Sequence, residues 1–456
     1  MEKTENKHLQ NSIIEGNIKV EMLRYFFPLL FGSFFQQLYN TVDAIIVGKY
    51  VSPEALAAVG GSAAMIVNLF VGFFGGLASG ATVVIAQFYG AKQMKMVKKA
   101  IHTSIALAFT GGLAFTIIGF IFTPWGIEVL KTPKDTIDMS TMYLRIYFLG
   151  MIPNIVYNVG SGVLRALGDS KSPLWVLLVA TFSNIILDIL FVIKMDMGVV
   201  GVAIATILCQ LISSILILVI MVRIKAEYKL RLKEIAFDKG IMNRIIQIGL
   251  PAGIQSSMYT LSNLLIQSAI NSFGTAAVSA WAAYGKIDVI LWMIMQSLGI
   301  AVTTFVGQNY GAGKNSRVRE SIKQGLIFTY AMTISLSIIM YVARMPLLGL
   351  FISNHKIGAE VLRYGNVMMR CMVPFYGIYV AVEILAGALR GIGDTLIPTI
   401  MTLSGICLLR IVWILFIVPI SGKIEMVVYS YPVTWAVTST MFIIYFVYVM
   451  VKKKSF

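Results

Sequence analysis

Apolar residues in this chain come in long continuous runs, with neither the three-to-four spacing of a surface helix nor the alternation of a barrel strand. About twelve such runs follow one another, at 23–48, 55–87, 98–123, 138–163, 173–194, 198–222, 244–271, 276–308, 320–343, 361–388, 396–419 and 427–450. Each is near or above the roughly 20 residues a helix needs to cross a hydrocarbon layer about 30 Å thick. Because the runs do not alternate, they predict membrane-spanning helices and not the wall of a barrel. The first run starts near Leu23 behind a polar tail and is too long for the apolar stretch of a cleaved leader, so it is read as an uncleaved first helix.

The pattern repeats at about 221 residues, close to half the length of the chain. QFYGAKQMKMVKK (87–99) lines up with QNYGAGKNSRVRE (308–320), and LRALGDSKSP (164–173) with LRGIGDTLIP (389–398). Each half then holds six helices, an even number, so both halves enter the membrane in the same direction as parallel repeats. The matched stretches read as turn and cap chemistry: Gly for the turn, Asp169 with Ser170 and Asp394 with Thr395 as N-caps, Pro173 and Pro398 in the first turn. The expected organisation is a tail at 1–22, a six-helix bundle at 23–224, a basic linker at 225–243, a second six-helix bundle at 244–450 and a tail at 451–456.

Composition confirms the solvent. Of the 456 residues 58% are hydrophobic and 13% charged, against roughly 25% charged in a soluble domain. The net charge of +16 could suggest a nucleic-acid partner, but its distribution argues otherwise. About 25 of the 37 Lys and Arg fall in the two tails and the even-numbered connections, and only about eight in the odd-numbered ones. That asymmetry puts both termini and the linker RIKAEYKLRLKEIAFDKGIMNR (223–244) in the cytoplasm, the linker lying against anionic headgroups, and nucleic acid is not expected as a partner. Cys209, Cys371 and Cys407 stand at unrelated spacings in apolar surroundings, which suits packing and not a disulfide or metal framework. His8, His102 and His355 lie in the tail or near run ends, so none is placed for a mid-membrane proton relay.

Ionisable side chains inside the runs cost at least about 2.5–3.5 kcal/mol at a helix centre and are functional candidates by default. The acids are Asp43 and Asp188 in the first half and Asp288 and Glu383 in the second; Arg145, Lys286, Arg370 and Arg410 are the embedded or near-embedded bases. Asp43 lies six residues before Lys49 and Asp188 six before Lys194, so both sit roughly 9 Å inside the outer ends of their helices. Asn184 precedes Asp188 by one turn, and Thr206 on the descending sixth helix can reach the same layer. Two carboxylates, a carboxamide and a hydroxyl in an apolar bundle make a cation site for H⁺ or Na⁺. The plain alternative is that the two acids are polar glue between helices. Asp288 and Lys286, two apart, do not share a helix face. Glu383 could meet a cationic substrate or neutralise Arg410 or Arg370. Pro28 is expected to kink the first helix, and Gly72-x3-Gly76-x3-Gly80 to form a close packing face.

Several of these features together, PLLFGSFFQQLYNTVDAIIVG (28–48), the paired Q-x-Y-G-A segments and the LR-x2-GD turns, resemble the multidrug and toxic compound extrusion (MATE) transporters over essentially the whole chain. The resemblance implies an all-α integral membrane fold of 12 helices, two pseudo-symmetric six-helix bundles arranged as a V. It implies export of cationic amphipathic drugs or dyes in exchange for H⁺ or Na⁺, from a monomer in the cell membrane with no cofactor beyond that ion. In one prokaryotic branch the cation site is an Asp on helix 1, an Asn and an Asp four apart on helix 5 and a Thr on helix 6; here these positions hold Asp43, Asn184, Asp188 and Thr206. Another branch uses acids in helices 7 and 10; the seventh run here has none, and the repeat partner of Asp43 is near Asn263.

The competing reading is a lipid-linked precursor flippase or polysaccharide exporter of related architecture, for which a strongly cationic cleft is expected; the embedded bases are few and matched by acids. An enzyme is not expected, since no clustered nucleophile or metal constellation is present.

Overall fold

The computed structural model describes residues 12–130, 132–351 and 358–452, and within them every regular element is helical. His8 and His355 lie outside the described residues. The membrane segments are α1 (Ile18–Tyr50), α2 (Pro53–Gly90), α3 (Met94–Val129), α4 (Ile137–Leu149 and Met151–Ala166), α5 (Lys171–Lys194), α6 (Gly198–Arg223), α7 (Lys239–Asn271), α8 (Thr275–Gly311), α9 (Asn315–Val342), α10 (Gly358–Gly391), α11 (Leu396–Ser421) and α12 (Ile424–Lys452). Among the described residues nine of these are long and apolar enough to cross a membrane by length and composition. α4 is interrupted at Gly150. α1 and α7 carry polar stretches, QQLYNTVD and QSSMYTLSN, at matching places of the repeat.

Local chemistry sets the ends. Ser52 opens α2 by accepting from the Ala55 amide at 3.0 Å, with Pro53 in the first turn. Both Q-x-Y-G-A turns close through a residue with positive φ, Lys92 at 58° and Gly313 at 67°. Both LR-x2-GD turns do so through Gly168 and Gly393, with the amides of Asp169 and Asp394 returning to the carbonyls of Leu164 and Leu389 at 2.9 Å. Asp169 caps α5 as expected, accepting from the amides of Lys171 and Ser172 at 3.0 and 2.9 Å. Asp394 departs from expectation: its carboxylate accepts instead from Tyr445 Oη on α12 at 2.6 Å. α1 runs unbroken through Pro28.

The chain forms two compact units, Leu23–Ser256 and Ser257–Phe456 together with Met1–Met22. In the first, the face foreseen along Gly72, Gly76 and Gly80 meets α7 backbone to backbone. A Cβ on Gly76 would lie 2.3 Å from the Gly253 nitrogen, and one on Gly80 2.4 Å from the Ile245 carbonyl. The linker also belongs to this unit and is pinned along α3. Lys98 pairs with Glu234 at 2.5 Å and Lys99 with Asp238 at 3.2 Å, while His102 Nε2 accepts from the Arg231 amide at 3.1 Å. Lys98 and Arg231 together hold the exposed Glu234 carboxyl down to about 2. In the second unit the short helix Ser12–Glu15 docks where α8 turns into α9. Ile13 and Ile14 are buried, and Arg317 Nη2 donates to the carbonyls of Ile13 and Gly16 at 2.9 and 2.8 Å.

Two helices depart from α geometry near charged positions. α5 changes to π-helix over Ile189–Lys194, directly after Asp188, and α11 does so over Leu403–Leu408 and Trp413–Ile417, on either side of Arg410. Such segments recur at functional positions because they displace backbone groups from the regular ladder.

Candidate functional site

α1, α5 and α6 bring the four residues singled out in the first half to one place. Asn184 and Asp188 are fully buried, Thr206 nearly so, and Asp43 half-buried. The Asn184 carboxamide, oriented by its hydrogen-bond network, donates from Nδ2 to Asp43 Oδ1 at 2.7 Å and to Asp188 Oδ2 at 3.3 Å. The two carboxyl groups are thus neighbours across one carboxamide. At that range two anions repel strongly in an apolar bundle unless a proton or a cation stands between them. Asp188 Oδ1 is buried and has no hydrogen-bond partner, which leaves an acceptor of the pair unsatisfied.

A fifth residue, not foreseen, completes the group. Tyr39 lies one turn before Asp43 on α1 and donates from Oη to Thr206 Oγ1 at 3.3 Å, while Thr206 donates on to the Val202 carbonyl at 3.0 Å. The only hint in the sequence was the four-residue spacing from Tyr39 to Asp43. Tyr143 and Tyr147 of α4 stack beside this group with ring centroids 6.0 Å apart, and Gln210 of α6 donates to Tyr147 Oη at 3.4 Å. One wall is thus phenolic and carboxamide-bearing, the other carboxylate.

The acids of the second half are engaged differently. Asp288 on α8 accepts from Trp292 Nε1 at 2.9 Å and from Tyr376 Oη, with Tyr284 Oη at 3.5 Å. Glu383 on α10 accepts from Tyr379 Oη at 3.3 Å and rests on Gly299 of α8, where a Cβ would lie 2.6 Å from its Oε1. Tyr379 Oη in turn meets Tyr259 Oη at 3.2 Å. The pairing of Glu383 with Arg410 or Arg370 is not formed among the described residues; Arg410 donates instead to Asn263 and Thr434. Lys286 is exposed and makes no pair with Asp288 among the described residues. Cys209, Cys371 and Cys407 are free and buried. No group of three or more His, Cys, Asp or Glu is placed to hold a metal among the described residues.

The profile of the MatE family matches residues 28–190 and 251–415, one stretch in each half of the repeat. The chain belongs to the MatE family. A MatE relative, the probable multidrug resistance protein YoeA of Bacillus subtilis (strain 168), is 28% identical over 444 residues, covering 95% of this chain and 94% of its own. The probable multidrug resistance protein NorM of Thermotoga maritima is 25% identical over 403 residues, covering 86% and 84%. Among solved structures, a multidrug resistance MATE family transporter of the MOP superfamily in an outward-facing conformation superposes with a TM-score of 0.89 at 20% identity, covering 97% of this chain and 98% of that one. The expected MATE fold and membrane transporter class are thereby established for this chain.

Proposed function

We propose that this MatE protein exports cationic, amphipathic compounds across the cell membrane by alternating access, in exchange for a monovalent cation taken up at Asp43 and Asp188. The observation that carries the reading is the carboxyl pair held by Asn184, Asp188 fully buried and Asp43 half-buried, with Asp188 Oδ1 left without a partner. Such a pair changes its charge when a proton enters and changes its packing when the charge goes. Either H⁺ shared between the carboxyls or Na⁺ held by carboxylate and carboxamide oxygens fits this donor set, depending on which way the Asn184 amide faces. Tyr39 and Thr206 fix the α1 and α6 sides of the pair. Cation entry from outside lowers the negative charge beside α1 and favours drug release; cation release inside restores it. Both termini lie in the cytoplasm in this reading, the protein acts as a monomer, and no cofactor is needed beyond the coupling ion.

The flippase alternative has no comparable support, since none of the relatives named above is described as one. Ethidium efflux from vesicles, with a pH gradient and a Na⁺ gradient imposed separately, tests the proposal. Efflux driven by one of the two gradients is expected; efflux indifferent to both gradients would overturn cation exchange.

A further inference from the structure

The repeat that puts Asp43 in α1 puts an asparagine at the same point of α7. QLYNTVDAII (37–46) aligns with SMYTLSNLLI (257–266), so that Tyr39 matches Tyr259 and Asp43 matches Asn263. α11 stands to α7 as α5 stands to α1, and what it offers Asn263 is Arg410. The guanidinium donates from Nη1 to Asn263 Oδ1 and from Nη2 to Thr434 Oγ1 of α12, both at 3.4 Å. The second half thus repeats the three-helix construction of the first with the sign of charge inverted.

Arg410 is 2% exposed, yet among the described residues no Asp or Glu oxygen lies within the 4.0 Å of an ion pair. Its Nε has no partner at all. One face of the guanidinium is covered by the Tyr431 ring, 4.1 Å from its centroid. The side-on edge, Nε with Nη2, therefore carries one orphaned donor and one long contact, which is the fork that grips a carboxylate or phosphate. The acids of this half are otherwise engaged, Asp288 by Trp292 and Tyr376 and Glu383 by Tyr379. On the same helices the buried hydroxyls of Ser262 and Thr438 also lack partners. A buried guanidinium with neutral neighbours is costly unless an anion completes it. Asn263, exposed on the face of α7, is the side chain an arriving anion would displace.

We infer that the second half carries an oxyanion site built on Arg410, which takes the carboxylate or phosphate of an aromatic organic solute. Tyr431, with Trp281 and Trp435 against it at ring separations of 6.0 and 5.7 Å, supplies the aromatic surround. The inference is independent of which ion drives export, and its test reads binding alone, so failure of either reading is distinguishable from failure of the other.

The test uses the full chain in phosphatidylcholine nanodiscs, titrated with benzoate, phenyl phosphate and the neutral isostere benzamide while tryptophan fluorescence is followed. Wild type is expected to bind the two anions saturably and at least roughly tenfold tighter than benzamide, as a charged hydrogen-bond partner implies. Arg410→Lys keeps the charge but not the fork and should fall between. Arg410→Gln should bind benzoate no better than benzamide. Asn263→Asp leaves the guanidinium in place and gives it a carboxylate, so it should lose the preference without removing Arg410, which guards against misfolding of the glutamine variant. Equal binding of benzoate and benzamide by wild type, no saturable binding of either anion, or a wild-type preference retained in Asn263→Asp would each overturn the site.

Discussion

The two halves of this protein solve one construction in two ways. In the first, α1 and α5 face each other with Asp43 and Asp188, bridged by Asn184; in the second, α7 and α11 face each other with Asn263 and Arg410. The backbone devices are shared: a polar stretch in the first helix of each half, positive-φ turns after the second, and π-helix beside the charged residue of the fifth. What the repeat preserves is therefore the place for a charge, and what it leaves free is the sign. Only the first half holds titratable acids at that place, so only it can exchange a cation there.

The comparison breaks most completely if the first half can lose its charge without consequence. Asp43→Asn should abolish gradient-driven ethidium efflux, whereas Tyr259→Phe, one turn before the matching Asn263 in the second half, should leave the gradient dependence in place; efflux assays on both variants check this. Next in size is the packing that holds the first unit together. Gly76→Leu must push side-chain atoms into the Gly253 backbone, for which a Cβ alone would already stand at 2.3 Å. A loss of about 1–3 kcal/mol or more is expected, read as a fall in the thermal unfolding temperature of the detergent-solubilised protein. Tyr39→Phe removes the hydroxyl that bonds Thr206 beside Asp43, so coupling should weaken by about 0.5–1.5 kcal/mol, seen as a several-fold slower efflux with the same ion preference. The smallest effect concerns the linker. The depressed carboxyl of Glu234 contributes fully above the ordinary carboxylate range, and that contribution is lost only as pH falls toward about 2. Amide exchange at Leu230, whose N–H returns to the Met221 carbonyl, should therefore show no pH-specific opening between pH 8 and 5.5; opening in that window would show that the Glu234 pair does not hold the linker.

Much of this was legible in the sequence because the bilayer imposes a simple rule. The sixth run, expected at 198–222, is the helix Gly198–Arg223, and the depth argument that paired Asp43 with Asp188 needed only rise per residue and flanking lysines. What escaped depends on neighbours across helices, which spacing along one helix does not encode. Tyr39 has no signal in the sequence beyond its spacing from Asp43, because its partner Thr206 lies on another helix. Glu383 was a reasonable partner for Arg410 by charge, but Tyr379 one turn earlier on its own helix engages it instead. The short helix Ser12–Glu15 was hidden in a polar tail, since two isoleucines are too few to announce a docked segment, and its anchor Arg317 lies about 300 residues away.

The most direct test of the account is the proton count on drug binding. Purified protein in weakly buffered detergent, mixed with saturating ethidium, should release protons to a pH dye in the wild type and not in Asp188→Asn. Release that survives in Asp188→Asn and disappears in Glu383→Gln would contradict the account, placing the exchanged proton in the second half and reducing the first to polar packing.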